Sequence, residues 1–209
     1  MNKPSLMTTM AAGVPAGPAA ADDCPDVQLI FARGTGEPPG AGRVGQALGD
    51  ALGPQLGGRS LDVYGVDYPA SLNFLNASSG ADDAAARIAD MGARCPQTRL
   101  VLGGFSQGAA AVSMLAGVPP VGDRIGSIGS APPLPPAAAG QVAAVAVFGN
   151  PGARFGSPLS STGAFAGRAI DVCVEGDPIC SSGRDRAAHS AYELPPYPQQ
   201  AAAFVAALL

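Results

Sequence analysis

The sequence predicts one α/β domain built on a central, mostly parallel five-stranded sheet with helices on both faces, a three-layer α/β/α sandwich. Three observations carry that expectation. Five short apolar runs alternate with helical or irregular stretches, which is the pattern of a parallel sheet covered on both sides. The length of 209 residues suits one domain with a sizeable core. A serine stands where one apolar run turns into a helical one, as a strand-to-helix elbow requires.

The runs read as buried strands are Val27–Arg33, Leu61–Val66, Arg99–Gly103, Val142–Phe148 and Ala169–Val174. Helices are expected over Gly42–Gly53, Asp82–Ala93, Gln107–Ala116 and Gln199–Leu209. Asp82 and Asp83 precede the Ala84–Ala93 run and suit the positive end of a helix starting there. The Pro-rich stretch Ala131–Ala137 is expected to be a stiff surface loop. Right-handed crossovers place the strands' C-terminal ends on one edge, where ligand sites of open α/β sheets lie.

Composition narrows the function. The chain is 47% hydrophobic and 13% charged, which argues for a globular protein, and no apolar run is long enough for a membrane span. Its net charge of −4 argues against nucleic-acid partners. The four cysteines lack the paired spacing of a zinc site, and one histidine cannot build a common metal cluster. Neither a metal nor an organic cofactor is expected.

Two disulfides are the better reading, with three possible connectivities. Nearness in sequence favours Cys173–Cys180, and hence Cys24–Cys95. On the chain-entropy model the shorter loop contributes about 2.5 kcal/mol and the longer about 4.4 kcal/mol. Disulfides imply an exported protein, secreted or held in the cell envelope. Residues 1–21, with Lys3, a broken apolar patch and Ala19-Ala20-Ala21 before Asp22, read as a signal-like or disordered leader. The folded domain is expected over 22–209.

The segment Gly104-Phe105-Ser106-Gln107-Gly108 carries the chemistry. Its glycines allow a tight turn that exposes the serine hydroxyl, and the following helix aims N–H groups at the space beside it. Composition alone yields about 0.3 such motifs by chance, so the strand-to-helix context matters more than the match. The single histidine, His189, is the expected general base. Asp177, after a strand and Gly176 and inside the loop that Cys173 and Cys180 would close, is the expected acid that orients the imidazole. Asp171, Glu175 and Asp185 are its competitors. Oxyanion donors are expected from Gln107 N–H and from Thr35 in the loop after the first strand. That loop, Gly34-Thr35-Gly36-Glu37-Pro38-Pro39-Gly40, lacks the endings of a P-loop and the spacing of a dinucleotide fingerprint. Arg33 beside it is expected to make structural hydrogen bonds.

These residues, with Phe31–Glu37, Val66–Ala70, Gly103–Ala109, Cys173–Cys180 and His189-Ser190-Ala191-Tyr192, resemble the cutinase family, in particular cutinase-like secreted esterases of actinobacteria. The resemblance runs from Cys24 nearly to Leu209. It implies the three-layer fold without a large lid, catalysis by Ser106, Asp177 and His189, oxyanion roles for Thr35 and Gln107, and the same two bridges. Gly36 departs from the bulkier polar residue common in fungal relatives.

The expected reaction is hydrolysis of short- to medium-chain carboxylic esters through an acyl-enzyme. Lipids or polyesters, including esters presented at an interface, are the expected partners of a monomeric enzyme. Ile179, Tyr192 and Leu194 are expected to line the substrate site. An acyltransferase, phospholipase or thioesterase with the same triad is the alternative, and a non-catalytic lipid- or surface-binding protein comes last.

Overall fold

The computed structural model describes residues 24–120 and 128–209. The leader expected over residues 1–21 lies outside the described residues. Five strands, β1 (Val27–Ala32), β2 (Leu61–Gly65), β3 (Arg99–Phe105), β4 (Val142–Phe148) and β5 (Ala169–Val172), form one sheet in the order β2-β1-β3-β4-β5. Every neighbouring pair is parallel. The central strands β1, β3 and β4 are buried almost throughout, as the continuous apolar runs require.

The helices are α1 (Gly42–Leu52), α2 (Ala77–Arg94), α3 (Gln107–Leu115), α4 (Pro136–Gln141), α5 (Pro151–Arg154) and α6 (Tyr197–Ala206). Two cores lie on opposite faces of the sheet. One packs Ile88 and Met91 of α2 and Val112 and Leu115 of α3 against Ile30, Leu102 and Val145. The other packs Val44, Leu48 and Leu52 of α1 and Ala202 and Val205 of α6 against Leu29, Val101 and Phe148. Among the described residues no helix is long and apolar enough to cross a membrane.

Three local expectations need correction. Helix α2 starts at Ala77, five residues before Asp82, because Ala77, Gly80, Ala81 and Ala84 already form its buried stripe. Asp83 therefore does not serve the helix N-terminus; its carboxylate accepts from Tyr64 Oη–H at 3.1 Å and Asp67 N–H at 2.9 Å. The Pro-rich stretch is irregular only to Pro135. Pro136 opens α4, where its missing N–H costs nothing because a first-turn N–H has no intrahelical acceptor. Strand β3 runs two residues further than expected, through Gly104 and Phe105, directly into Ser106.

Both expected bridges are formed, Cys24–Cys95 and Cys173–Cys180, with Cα–Cα distances of 5.6 and 5.9 Å. The first ties the entry to β1 to the end of α2. The second closes the loop leaving β5.

Candidate active site

The C-terminal ends of β1, β3, β4 and β5 deliver all the candidate residues to one edge of the sheet. Ser106 occupies the turn between β3 and α3 with φ +53° and ψ −111°, a conformation a side chain rarely adopts. The turn is held because Ser106 N–H donates to the Phe148 carbonyl at 2.9 Å, and because β3 and α3 touch at glycines. A Cβ on Gly108 would overlap the Ala32 carbonyl oxygen, and one on Gly104 would lie 2.5 Å from the Gly108 carbonyl carbon. Glycine is required here for close approach, not for flexibility.

His189 sits in a short helical turn, Ala188–Ser190, with its side chain 21% exposed. Its Nε2 lies 2.9 Å from Ser106 Oγ and its Nδ1 lies 2.8 Å from Asp177 Oδ2. Asp177 is shielded completely from solvent. Its Oδ1 accepts from Ile179 N–H at 2.7 Å, and its Oδ2 also accepts from the Tyr192 hydroxyl. Burial pushes the Asp177 carboxyl up, but the hydrogen bonds from His189, Tyr192 and Ile179 outweigh it and hold the carboxyl below its ordinary value.

The competing acids are placed elsewhere. Asp171 accepts from Asn150 Nδ2 at 2.7 Å and Ser160 N–H at 2.8 Å. Asp185 accepts from Ala187 N–H at 2.9 Å, and Glu175 is exposed.

Thr35 and Gln107 line the same cavity as Ser106, and their side chains meet. The Thr35 hydroxyl donates to Gln107 Oε1 at 3.2 Å. Gln107 is the first residue of α3, so its backbone N–H has no intrahelical acceptor. Its side chain is buried, with Nε2 unpartnered among the described residues. The Thr35 loop is braced from beneath. Arg33 donates to the Val66 and Tyr68 carbonyls at 3.2 and 2.5 Å, and Glu37 accepts from Gly34 N–H at 2.7 Å and Arg43 N–H at 2.9 Å.

An open cavity of about 450 Å³ lies over Ser106 and His189. Its walls are largely apolar, with Leu72, Phe74, Phe105, Phe155 and Ile179 among them. Of the three expected substrate contacts, only Ile179 lines it. Tyr192 is fully buried among Phe105, Phe148 and Tyr197 and spends its hydroxyl on Asp177. Leu194 is exposed but outside the cavity wall. Proximity to His189 in sequence is a poor guide here: Tyr192 packs edge-on against the imidazole and beneath it rather than into the cavity. Leu72 and Phe74 come from the β2–α2 loop just past the Val66–Ala70 segment, whose residues carry no mark of which side chains beyond it face the cavity.

The Tyr192 contact yields a test. Its hydroxyl also accepts from Val174 N–H at 3.2 Å, so Tyr192→Phe removes a donor from Asp177 and an acceptor from Val174. With its folded pKa lowered, Asp177 stabilises the protein above its unfolded value, near 3.9, and that contribution fades as pH falls through the folded value. Tyr192→Phe raises the folded value, so the gap in melting temperature between the two proteins is expected to be widest near neutrality. It should narrow as the solution is acidified. A gap independent of pH would refute the link to Asp177.

Gly149, after β4, was also missed. At φ +55° a Cβ there would lie 2.9 Å from His189 Cε1 and 3.2 Å from Asp177 Oδ2. Gly149→Ala is expected to displace the ring, lowering kcat by roughly 10- to 100-fold and stability by about 1–2 kcal/mol. Wild-type kcat in a folded Gly149→Ala protein would contradict this placement.

The family model "Cutinase" matches residues 23–209. The chain is 48% identical to Phospholipase Culp4 of Mycobacterium tuberculosis (strain ATCC 25618 / H37Rv) over 190 residues, which cover 90% of this chain and 81% of the relative. It is 42% identical to Carboxylesterase Culp1 of Mycobacterium bovis (strain ATCC BAA-935 / AF2122/97) over 212 residues, covering 96% of this chain and 91% of the relative. Among solved structures, the Trichoderma reesei cutinase in complex with a phosphonate inhibitor superposes with a TM-score of 0.69 at 35% identity, covering 90% of this chain and 78% of that one. The catalytic core of acetyl xylan esterase from the same organism gives a TM-score of 0.75 at 26% identity, covering 90% of this chain and all of that one. The chain therefore belongs to the cutinase family and is a serine carboxylic ester hydrolase.

Proposed function

We propose that Ser106, His189 and Asp177 form the catalytic triad of an esterase acting on short- to medium-chain acyl esters. The observation that carries this reading is the unbroken chain from Asp177 to His189 to Ser106, at 2.8 and 2.9 Å, beneath an apolar cavity. Ser106 Oγ attacks the ester carbonyl while its proton passes to His189 Nε2. Asp177 keeps the Nδ1 proton facing inward and stabilises the imidazolium. Gln107 N–H and Thr35 hold the oxyanion; the Thr35 hydroxyl must rotate away from Gln107 Oε1 to do so. His189 then gives its proton to the departing alkoxide, leaving an acyl-Ser106 that water cleaves by the same steps in reverse.

The exposed rim favours substrates gathered at a surface. Leu72 and Phe74, 81% and 48% exposed, stand on the cavity wall where an acyl chain would enter. Changing both to serine is expected to lower turnover of micellar esters several-fold more than turnover of the same esters below their micelle concentration. Equal losses in both states would remove the interfacial role. The likeness to Phospholipase Culp4 makes phospholipids the second substrate class to test.

The domain reading is a leader over residues 1–21 followed by one catalytic domain over 22–209, acting as a monomer outside the cytoplasm; the two disulfides support export. The experiment is a chain-length profile on p-nitrophenyl esters beside a phospholipid and a polyester. A maximum at short to medium acyl length supports the proposal. Transfer to an added alcohol with hydrolysis suppressed would favour an acyltransferase.

A further inference from the structure

Four charged side chains other than the imidazole line the cavity: Glu37, Arg43, Arg154 and Glu193. Three of them are already matched. Glu37 is buried and accepts from Gly34, Arg43 and Val44 N–H groups. Arg43 and Glu193 pair at 3.4 Å. Arg154 alone has no carboxylate within 4.0 Å among the described residues. Its one protein bond there runs from Nη1 to the Pro178 carbonyl at 2.5 Å.

That bond orients the guanidinium. Pro178 lies between the buried Asp177 and the cavity-lining Ile179, and α5 is itself anchored where the Asn150 side chain accepts from Gly152 N–H at 3.0 Å. Arg154 is exposed, oriented by that one bond beside an apolar wall, with Nε and Nη2 uncommitted among the described residues. An oriented guanidinium next to low-dielectric surface is well suited to a phosphate or carboxylate, to which it makes charge-assisted hydrogen bonds. Other arginines also lack a carboxylate within 4.0 Å among the described residues; Arg154 is the one of them that lines this cavity.

We propose that Arg154 is a specificity residue that binds an anionic group carried by the ester whose carbonyl Ser106 attacks. The inference rests on ester hydrolysis at Ser106. It assigns to the same cavity a preference for esters of acidic molecules, through either a phosphate on the alcohol side or a carboxylate on the acyl side.

The test compares two pairs of soluble substrates in the wild type, Arg154→Gln and Arg154→Lys. One pair is dihexanoylphosphatidylglycerol against dihexanoylglycerol, the other p-nitrophenyl hemiglutarate against p-nitrophenyl butyrate. In at least one pair the anionic-to-neutral ratio of kcat/KM is expected to fall about tenfold in Arg154→Gln, chiefly through KM, with Arg154→Lys between. Added salt should shrink the wild-type ratio in the same pair. The pair that responds identifies the anion as phosphate or carboxylate. Losses that leave both ratios unmoved would reduce Arg154 to a brace for Pro178 and overturn the proposal. So would a wild type that hydrolyses only the neutral esters. A wild type inactive on all four would instead strike the esterase reading of Ser106.

Discussion

Ser106→Ala is expected to abolish turnover of p-nitrophenyl butyrate, with kcat falling about a millionfold to a small residual rate. The alanine leaves the oxyanion donors and the cavity in place, so binding should persist while covalent chemistry stops. Stability should change little. The elbow is held by the Ser106 N–H to Phe148 bond and by glycine contacts, none of which uses the hydroxyl. The positive-φ strain that folding imposes at this position is about the same for either residue. A Ser106→Ala enzyme retaining a tenth of its activity would place the nucleophile elsewhere.

Asp177→Asn is the second large effect, and it works through a proton rather than a shape. The carboxylate takes one hydrogen bond on Oδ1 from Ile179 N–H, and two on Oδ2 from His189 and Tyr192. In the amide, Oδ1 still accepts from Ile179, so the NH₂ group faces His189 Nδ1. That nitrogen must then accept, which moves the imidazole proton to Nε2, where it points at Ser106 and blocks proton removal. The expected loss is about 10⁴-fold in kcat, with KM little changed. The Tyr192 hydroxyl can no longer donate to this position, and its proton, left without that acceptor, should lower the melting temperature modestly. Activity within tenfold of wild type in Asp177→Asn would transfer the orienting role to another group.

The central frame of the molecule was legible because its signals are local. Continuous apolar runs can satisfy their backbone only inside a covered parallel sheet, so all five strands could be located from sequence, four of them with ends shifted by one or two residues. The serine, the histidine and the clamped aspartate were legible because each follows a strand or a disulfide loop that leaves a sequence mark. The start of α2 was not, because Ala77-Ser78-Ser79-Gly80 has little apolar contrast and its burial comes from Tyr68 across the loop. Tyr192 and Leu194 were misplaced for a related reason. Side-chain direction in an irregular segment depends on what it packs against, and Phe105 and Phe148 draw the tyrosine inward. The cavity wall from Leu72 and Phe74, and the imidazole's seat on Gly149, arise from loops brought together only by the crossovers.

The most direct measurement is labelling by a fluorophosphonate with mass mapping of the adduct. In the proposed mechanism, proton transfer from Ser106 Oγ to His189 Nε2 makes the hydroxyl reactive. The account predicts one stoichiometric adduct on the peptide containing Ser106 in the wild type, and labelling slowed by orders of magnitude in His189→Ala. A wild-type protein that stays unlabelled, or an adduct on Ser106 that forms as fast without the imidazole, would contradict it.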